Sequence, residues 1–168
     1  MAPRRTLITG GSSSGKSRYA EGLLAGEAQV TYIAPGYIPD PVRDPEWAAR
    51  VAAHRLRRPA HWRTRETANV AAALAEAEGP LLLDCLGTWD MPLEQWRDRF
   101  QANLDELVHA WRDVGGPAVA VTNEVGWGVV PEHRSGRVFT DLLGRVNVAM
   151  AAASDEVLLV VAGRALHL

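Results

Sequence analysis

The chain has 168 residues and a mass of 18.2 kDa, enough for one domain over residues 1–168 and too little for a second. With 47% hydrophobic and 23% charged residues, wholesale disorder is excluded, and a net charge of −2 leaves no electrostatic footprint for nucleic acid or an anionic membrane. No apolar run is long enough to span a bilayer, the start MAPRRTLITGG lacks the apolar core of a secretion signal, and the lone Cys85 permits neither an internal disulfide nor a cysteine metal cluster, so a cytoplasmic α/β enzyme is expected.

Five short apolar runs punctuate the chain: Thr6–Thr9, Val30–Ala34, Leu81–Cys85, Ala118–Thr122 and Val157–Val161. They are nearly continuous rather than alternating, as in strands covered on both faces. Helical patterns separate them, at Lys16–Ala25, Pro45–Arg57, Asn69–Glu78, Leu93–Val114 and Gly136–Ala153. Strand alternating with helix predicts an α/β fold with a doubly wound, mostly parallel sheet and helices on both faces. The stretch Pro35–Pro45, with four prolines and a glycine, reads as a loop at the carboxyl end of the second strand. Asp44-Pro45-Glu46 then has the features of a helix start, and Pro59 closes that helix. The run His61–Thr64 is a further candidate edge strand.

Between the first strand and the first helix lies Gly10-Gly11-Ser12-Ser13-Ser14-Gly15-Lys16-Ser17, which fits the phosphate-loop pattern G-x-x-x-x-G-K-[ST]. Glycines let the backbone turn tightly, so that its N–H groups converge on phosphate oxygens at a helix N-terminus. The Lys16 ammonium is then placed for the β- and γ-phosphates and the Ser17 hydroxyl for Mg²⁺. Lys16 is also the only lysine among 18 basic residues, so the ammonium stands where this motif requires one. A phosphate loop needs a second acid for the metal, and Leu81-Leu82-Leu83-Asp84 ends an apolar strand in a carboxylate, making Asp84 the candidate.

Of the five histidines, His54 stands out: Arg50, Arg57 and Arg58 lie at offsets −4, +3 and +4 along its helix. Like charge nearby favours a neutral imidazole, and a neutral imidazole beside phosphate-holding guanidinium groups is a candidate nucleophile toward phosphorus. Spacing alone leaves open that it is an exposed histidine on a surface helix. After the fourth strand, Thr122-Asn123-Glu124-Val125-Gly126-Trp127-Gly128-Val129-Val130-Pro131-Glu132 carries two glycines and two acids at a strand's carboxyl end, where such sheets bind ligands, although the residues alone leave open that it is a long connection.

Together, ITGGSSSGKSRYAE, TYIAP, AARVAAHRLRRPAHWRTRE, LLLDCL, AVTNEVGWGVVPEHRSGRVFTDLLGRVN and DEVLLVVAG resemble the bifunctional adenosylcobinamide kinase / adenosylcobinamide-phosphate guanylyltransferases of cobalamin biosynthesis. The resemblance spans nearly the whole chain. It implies a P-loop NTPase-like fold, GTP or ATP and adenosylcobinamide as substrates, and a homo-oligomer, a trimer. It implies His54 as the residue that takes GMP from GTP. It also implies nucleotide contacts from Ile33, Ala34 and Pro35, from Arg55, Leu56, Arg57 and Arg58, and from Glu66 and Asp84. The chain departs from the family at Ala53, where some members have a second histidine, and at Asp84, an acid that can be Glu in relatives. It departs again in Leu86–Pro92, which is shorter than usual, and no cobinamide contact is carried over there. A monofunctional kinase for another small alcohol is the nearest alternative. A non-catalytic GTP-binding module is the distant alternative, since the usual guanine reader Asn/Thr-Lys-x-Asp needs a second lysine that the chain does not have.

Overall fold

The computed structural model describes residues 5–89 and 93–168. In chain order the elements are β1 (Arg5–Gly10), α1 (Lys16–Leu23), β2 (Thr31–Ala34), α2 (Pro45–Arg57), β3 (Arg63–Glu66), α3 (Val70–Ala75), β4 (Leu81–Asp84), a 3₁₀ turn (Leu86–Thr88), α4 (Leu93–Arg112), β5 (Ala118–Val121), α5 (Arg134–Ala152), β6 (Glu156–Val161) and β7 (Arg164–His167).

The described strands form one seven-stranded sheet in the order β3-β2-β4-β5-β1-β6-β7. Every pairing is parallel except β6 with β7, so the sheet is mostly parallel, as the alternation of strands and helices predicts. Two details differ from expectation. The edge strand near His61 begins at Arg63, because buried Trp62 anchors the turn before it and Arg63 takes the register position opposite Thr31. The hairpin strand β7 was not expected: Arg164-Ala165-Leu166-His167 has no apolar run, and its pairing to β6 supplies what its composition lacks.

Strand alternation divides the core in two. Ile8, Tyr32, Leu82, Val119 and Val121 point to the face covered by Ala20 of α1 and by Leu24, directly after that helix. Leu7, Ile33, Leu81, Leu83 and Ala120 point to the opposite face, under α3, α4 and α5, where Leu107, Trp111 and Met150 are fully buried. Helices therefore cover both faces. The parity has a functional consequence, because Asp84 shares the α1 face with Leu82, and so does Ala34 with Tyr32. The carboxyl ends of β1, β2, β4 and β5 open onto the phosphate loop on that side.

Candidate functional site

The phosphate loop leaves β1 at Gly10 and enters α1 at Lys16. Gly15 has φ +92°, a left-handed conformation that would strain any residue with a Cβ, and it lies directly before the first helical residue. Lys16 is only 7% exposed, and its Nζ donates to the Gly11 carbonyl at 2.9 Å, across the loop. Burial draws this ammonium below its ordinary pKa, with Cys85 and Asp84 opposing. Ser17 Oγ donates to Asp84 Oδ1 at 3.1 Å. The two residues proposed as metal ligands from sequence thus meet at the end of the loop.

Asp84 is itself buried, and its second oxygen accepts a 2.7 Å hydrogen bond from the Tyr32 hydroxyl. The Arg58 guanidinium lies 3.5 Å above the Tyr32 ring, and its Nη1 donates to Thr64 Oγ1 at 3.2 Å. Tyr32 carried no motif in the sequence; only strand parity, which turns it toward the face of Asp84, marks it. The phenol is pushed well above its ordinary pKa by burial and by the Asp84 charge, so it stays a donor at neutral pH.

His54 sits in the last turn of α2, half-buried, with Nδ1 3.9 Å from Asp84 Oδ2 and 3.4 Å from Arg57 Nη2. Arg57 in turn donates to both oxygens of Glu21 on α1, at 2.7 and 2.8 Å. This fork fastens α2 over the phosphate loop, and Glu21 is a second residue that sequence reading missed. Burial, more than the arginines expected from the spacing, holds the imidazole below its ordinary pKa; Asp84 and Glu21 oppose it, while Arg57 and Arg58 assist. The physical reason is that the charge of Arg57 is matched by Glu21.

Lys16, Ser17, Tyr32, His54, Arg57, Arg58 and Asp84 line one cavity of about 380 Å³. Its wall takes in Ser12, Ser13, Ser14, Gly15, Lys16, Ser17, Ala34, Arg50, His54, Arg57, Arg58, Glu66 and Asp84 from the residues singled out in sequence. Other expected contacts lie elsewhere. The Ile33 side chain is buried on the opposite face of the sheet, as alternation from Tyr32 requires, and Pro35 is buried outside the lining. Leu56 is 87% exposed, since α2 turns it away from His54, and Arg55 pairs with Glu66 at the rim. Gly10 and Gly11 shape the loop without lining the cavity. His61 faces solvent outside it. Of the Leu86–Pro92 segment, Thr88 lines the cavity, whereas Asp90, Met91 and Pro92 lie outside the described residues.

At the mouth, Tyr37 and Trp47 stack with ring centroids 5.7 Å apart, and Tyr37 Oη donates to Asp44 Oδ2 at 2.7 Å. Asp44 also caps α2 by accepting from the Trp47 amide at 3.0 Å, so the proline loop and the histidine helix share one anchor. The arrangement suits phosphoryl chemistry: a cationic loop, a carboxylate with a hydroxyl for a hard cation, and an imidazole facing them.

The family model described as cobinamide kinase / cobinamide phosphate guanyltransferase matches residues 6–168. The chain is 42% identical over 176 residues to the bifunctional adenosylcobalamin biosynthesis protein CobU of Salmonella typhimurium, covering 94% of this chain and 95% of that one. Its counterpart in Escherichia coli is 41% identical over the same shares. The bifunctional adenosylcobalamin biosynthesis protein CobP of Pseudomonas aeruginosa is 40% identical over 166 residues, 95% of this chain and 94% of that one.

Proposed function

Since the chain belongs to the cobinamide kinase / cobinamide phosphate guanyltransferase family, we propose that its one nucleotide cavity serves both reactions in turn, with His54 as the covalent carrier of GMP. The enzyme phosphorylates the aminopropanol hydroxyl of adenosylcobinamide with ATP or GTP and then transfers GMP from GTP to give adenosylcobinamide-GDP.

In the first reaction the phosphate loop and Lys16 hold the triphosphate while the substrate hydroxyl attacks the γ-phosphate in line, so catalysis is positioning and charge compensation. In the second, a nitrogen of His54 attacks the α-phosphate of GTP and pyrophosphate leaves. The phosphate of adenosylcobinamide phosphate then displaces the histidine and takes the GMP. Splitting one phosphorus substitution into two steps is the gain from a protein nucleophile. The reading is carried by the placement of His54: half-buried, in the same cavity as the phosphate loop, with Nδ1 3.9 Å from Asp84. Glu21, through Arg57, keeps α2 in that position.

The Ser17 hydroxyl and the Asp84 carboxylate, 3.1 Å apart, are hard oxygen donors suited to Mg²⁺. Bound there, Mg²⁺ would supply charge neutralisation of the β- and γ-phosphates. Tyr32, by holding Oδ2, leaves Oδ1 turned toward Ser17. We further read the enzyme as a cytoplasmic homo-oligomer, a trimer, supported by its use of nucleoside triphosphates and by the exposed apolar side chains of Trp127, Val129, Val130 and Val148.

Incubation with Mg²⁺ and GTP labelled at the α-phosphate, without acceptor, tests the histidine assignment. A base-stable, acid-labile protein label is expected, absent in His54→Ala and His54→Asn, while both variants still phosphorylate adenosylcobinamide. Label persisting in both variants would overturn the assignment.

A further inference from the structure

Beyond β5 the chain stays extended and pinned to β1. The Thr122 amide donates to the Ile8 carbonyl at 2.9 Å and the Glu124 amide to the Gly10 carbonyl at 3.0 Å. On the other side of β5, Asp84 is level with Val121. Asn123 therefore stands between the start of the phosphate loop and the strand that ends in Asp84. Alternation sends the two neighbouring side chains to opposite faces. Thr122 turns toward α5, where its hydroxyl donates to Asn147 Oδ1 at 2.6 Å, and Asn123 turns into the cavity that Lys16 and Asp84 also line.

The backbone at Asn123 is braced as well. Asn147 Nδ2 donates to the Asn123 carbonyl at 2.9 Å, so one asparagine of α5 holds both members of the pair. The Asn123 side chain rests directly on Gly87, where an added Cβ would lie 2.4 Å from Nδ2 and 2.9 Å from Cγ. Glycine at 87 is thus the condition for the amide's position. Among the described residues, no hydrogen bond engages that amide, although the backbone around it is clamped. A neutral donor in the cavity that Lys16 and Asp84 also line suits a phosphoryl oxygen, and the β- and γ-phosphates belong at this end of the loop.

We infer that Asn123 is a substrate-contacting residue whose Nδ2 donates to the terminal phosphate of the bound nucleoside triphosphate, so that the site distinguishes a triphosphate from a diphosphate. The assignment rests on reading the cavity as a triphosphate site, as proposed above. It assigns a role to the Thr-Asn-Glu segment that neither the phosphate loop nor His54 fills.

The test is calorimetric titration of the full-length enzyme in the His54→Asn background, which cannot form the GMP adduct, with Mg²⁺, by GDP and by the β,γ-imido analogue of GTP. Asn123→Ala should weaken binding of the analogue by about 10- to 100-fold, the range for one hydrogen bond to a charged group, and leave GDP within about twofold. Asn123→Asp, which keeps the shape but sets a carboxylate against phosphate, should weaken the analogue further. Gly87→Ala leaves Asn123 chemically intact and displaces its amide, and it should reproduce the loss seen in Asn123→Ala. Undiminished discrimination in folded Asn123→Ala and Asn123→Asp would overturn the inference, as would equal losses for GDP and the analogue. Failure of the His54→Asn parent to bind either nucleotide would instead remove the triphosphate reading itself, and this inference with it.

Discussion

Lys16 is the chain's only lysine, and its burial explains why arginine does not replace it. A compact ammonium fits beneath the Gly11 carbonyl at 2.9 Å, where a planar guanidinium fork would need more room and different acceptors. Lys16→Ala should lower kinase turnover and GMP-adduct formation together, because both reactions seat the triphosphate in one loop. A loss of about 2–4 kcal/mol of transition-state stabilisation, by analogy with other electrostatic groups, corresponds to roughly 30- to 1,000-fold in rate. Steady-state rates for both half-reactions would reveal it, and loss of one alone would separate the sites. His54 yields a prediction in pH. Its pKa lies below the ordinary 6.5 through burial, and the attacking nitrogen must be unprotonated. As pH falls, adduct formation should therefore be lost with a midpoint below 6.5. A cation on Asp84 acts in the same direction, by cancelling the charge that favours imidazolium. Rapid-quench measurement of adduct formation against pH is the check, and a midpoint above 6.5 would contradict the burial argument.

At the level of elements, the site depends on how α2 is moored. The helix has no buried residue, so little apolar packing fixes its position. Its main attachments are the Arg57–Glu21 fork to α1 at one end and, at the other, Asp44 joined to Tyr37 together with the Trp47 ring against Tyr37. Glu21→Gln removes the charge from the fork and should cost about 1–2 kcal/mol, taking charge-assisted hydrogen bonds and reducing them for partial exposure. The informative readout is the ratio of two activities. Adduct formation needs His54 in place and should fall several-fold, whereas phosphorylation of adenosylcobinamide should change little. Hydrogen exchange at the α2 amides should quicken in the same variant, and equal loss of both activities would mean that the fork supports the phosphate loop rather than the histidine.

For the whole molecule, stability and chemistry lie on different faces of the sheet. Trp111, in the last turn of α4, is fully buried on the face away from the cavity, and its Nε1 donates to Ser154 Oγ at 3.0 Å. Trp111→Ala should cost about 3–5 kcal/mol through the lost burial and the space left behind, a large part of the roughly 5–15 kcal/mol that holds a domain together. Thermal unfolding should shift down by roughly 6–20 °C for a chain of this size. Adduct formation per folded molecule at low temperature should stay near wild type, which active-site titration beside the melting curve would measure.

The phosphate loop, the helix start at Asp44 and the parallel, doubly wound sheet were legible in the residues alone. Each is encoded locally: by glycines that admit unusual backbone angles, by a capping carboxylate and a proline, and by continuous apolar runs that only two-sided burial makes stable. The family resemblance singled out His54 in the His-Arg block and also pointed to Ile33 and Leu56, but sequence adjacency does not specify which way a side chain faces. Parity turns Ile33 into the opposite core, and helix rotation turns Leu56 to solvent. Tyr32 beneath Asp84, Glu21 behind Arg57 and the short strand β7 were decided only by tertiary structure. The partners involved are separated by 52 residues for Tyr32 and Asp84 and by 36 for Arg57 and Glu21. No local propensity carries such pairings; they exist because packing the two faces of the sheet brings remote strand ends and helix faces to the same edge.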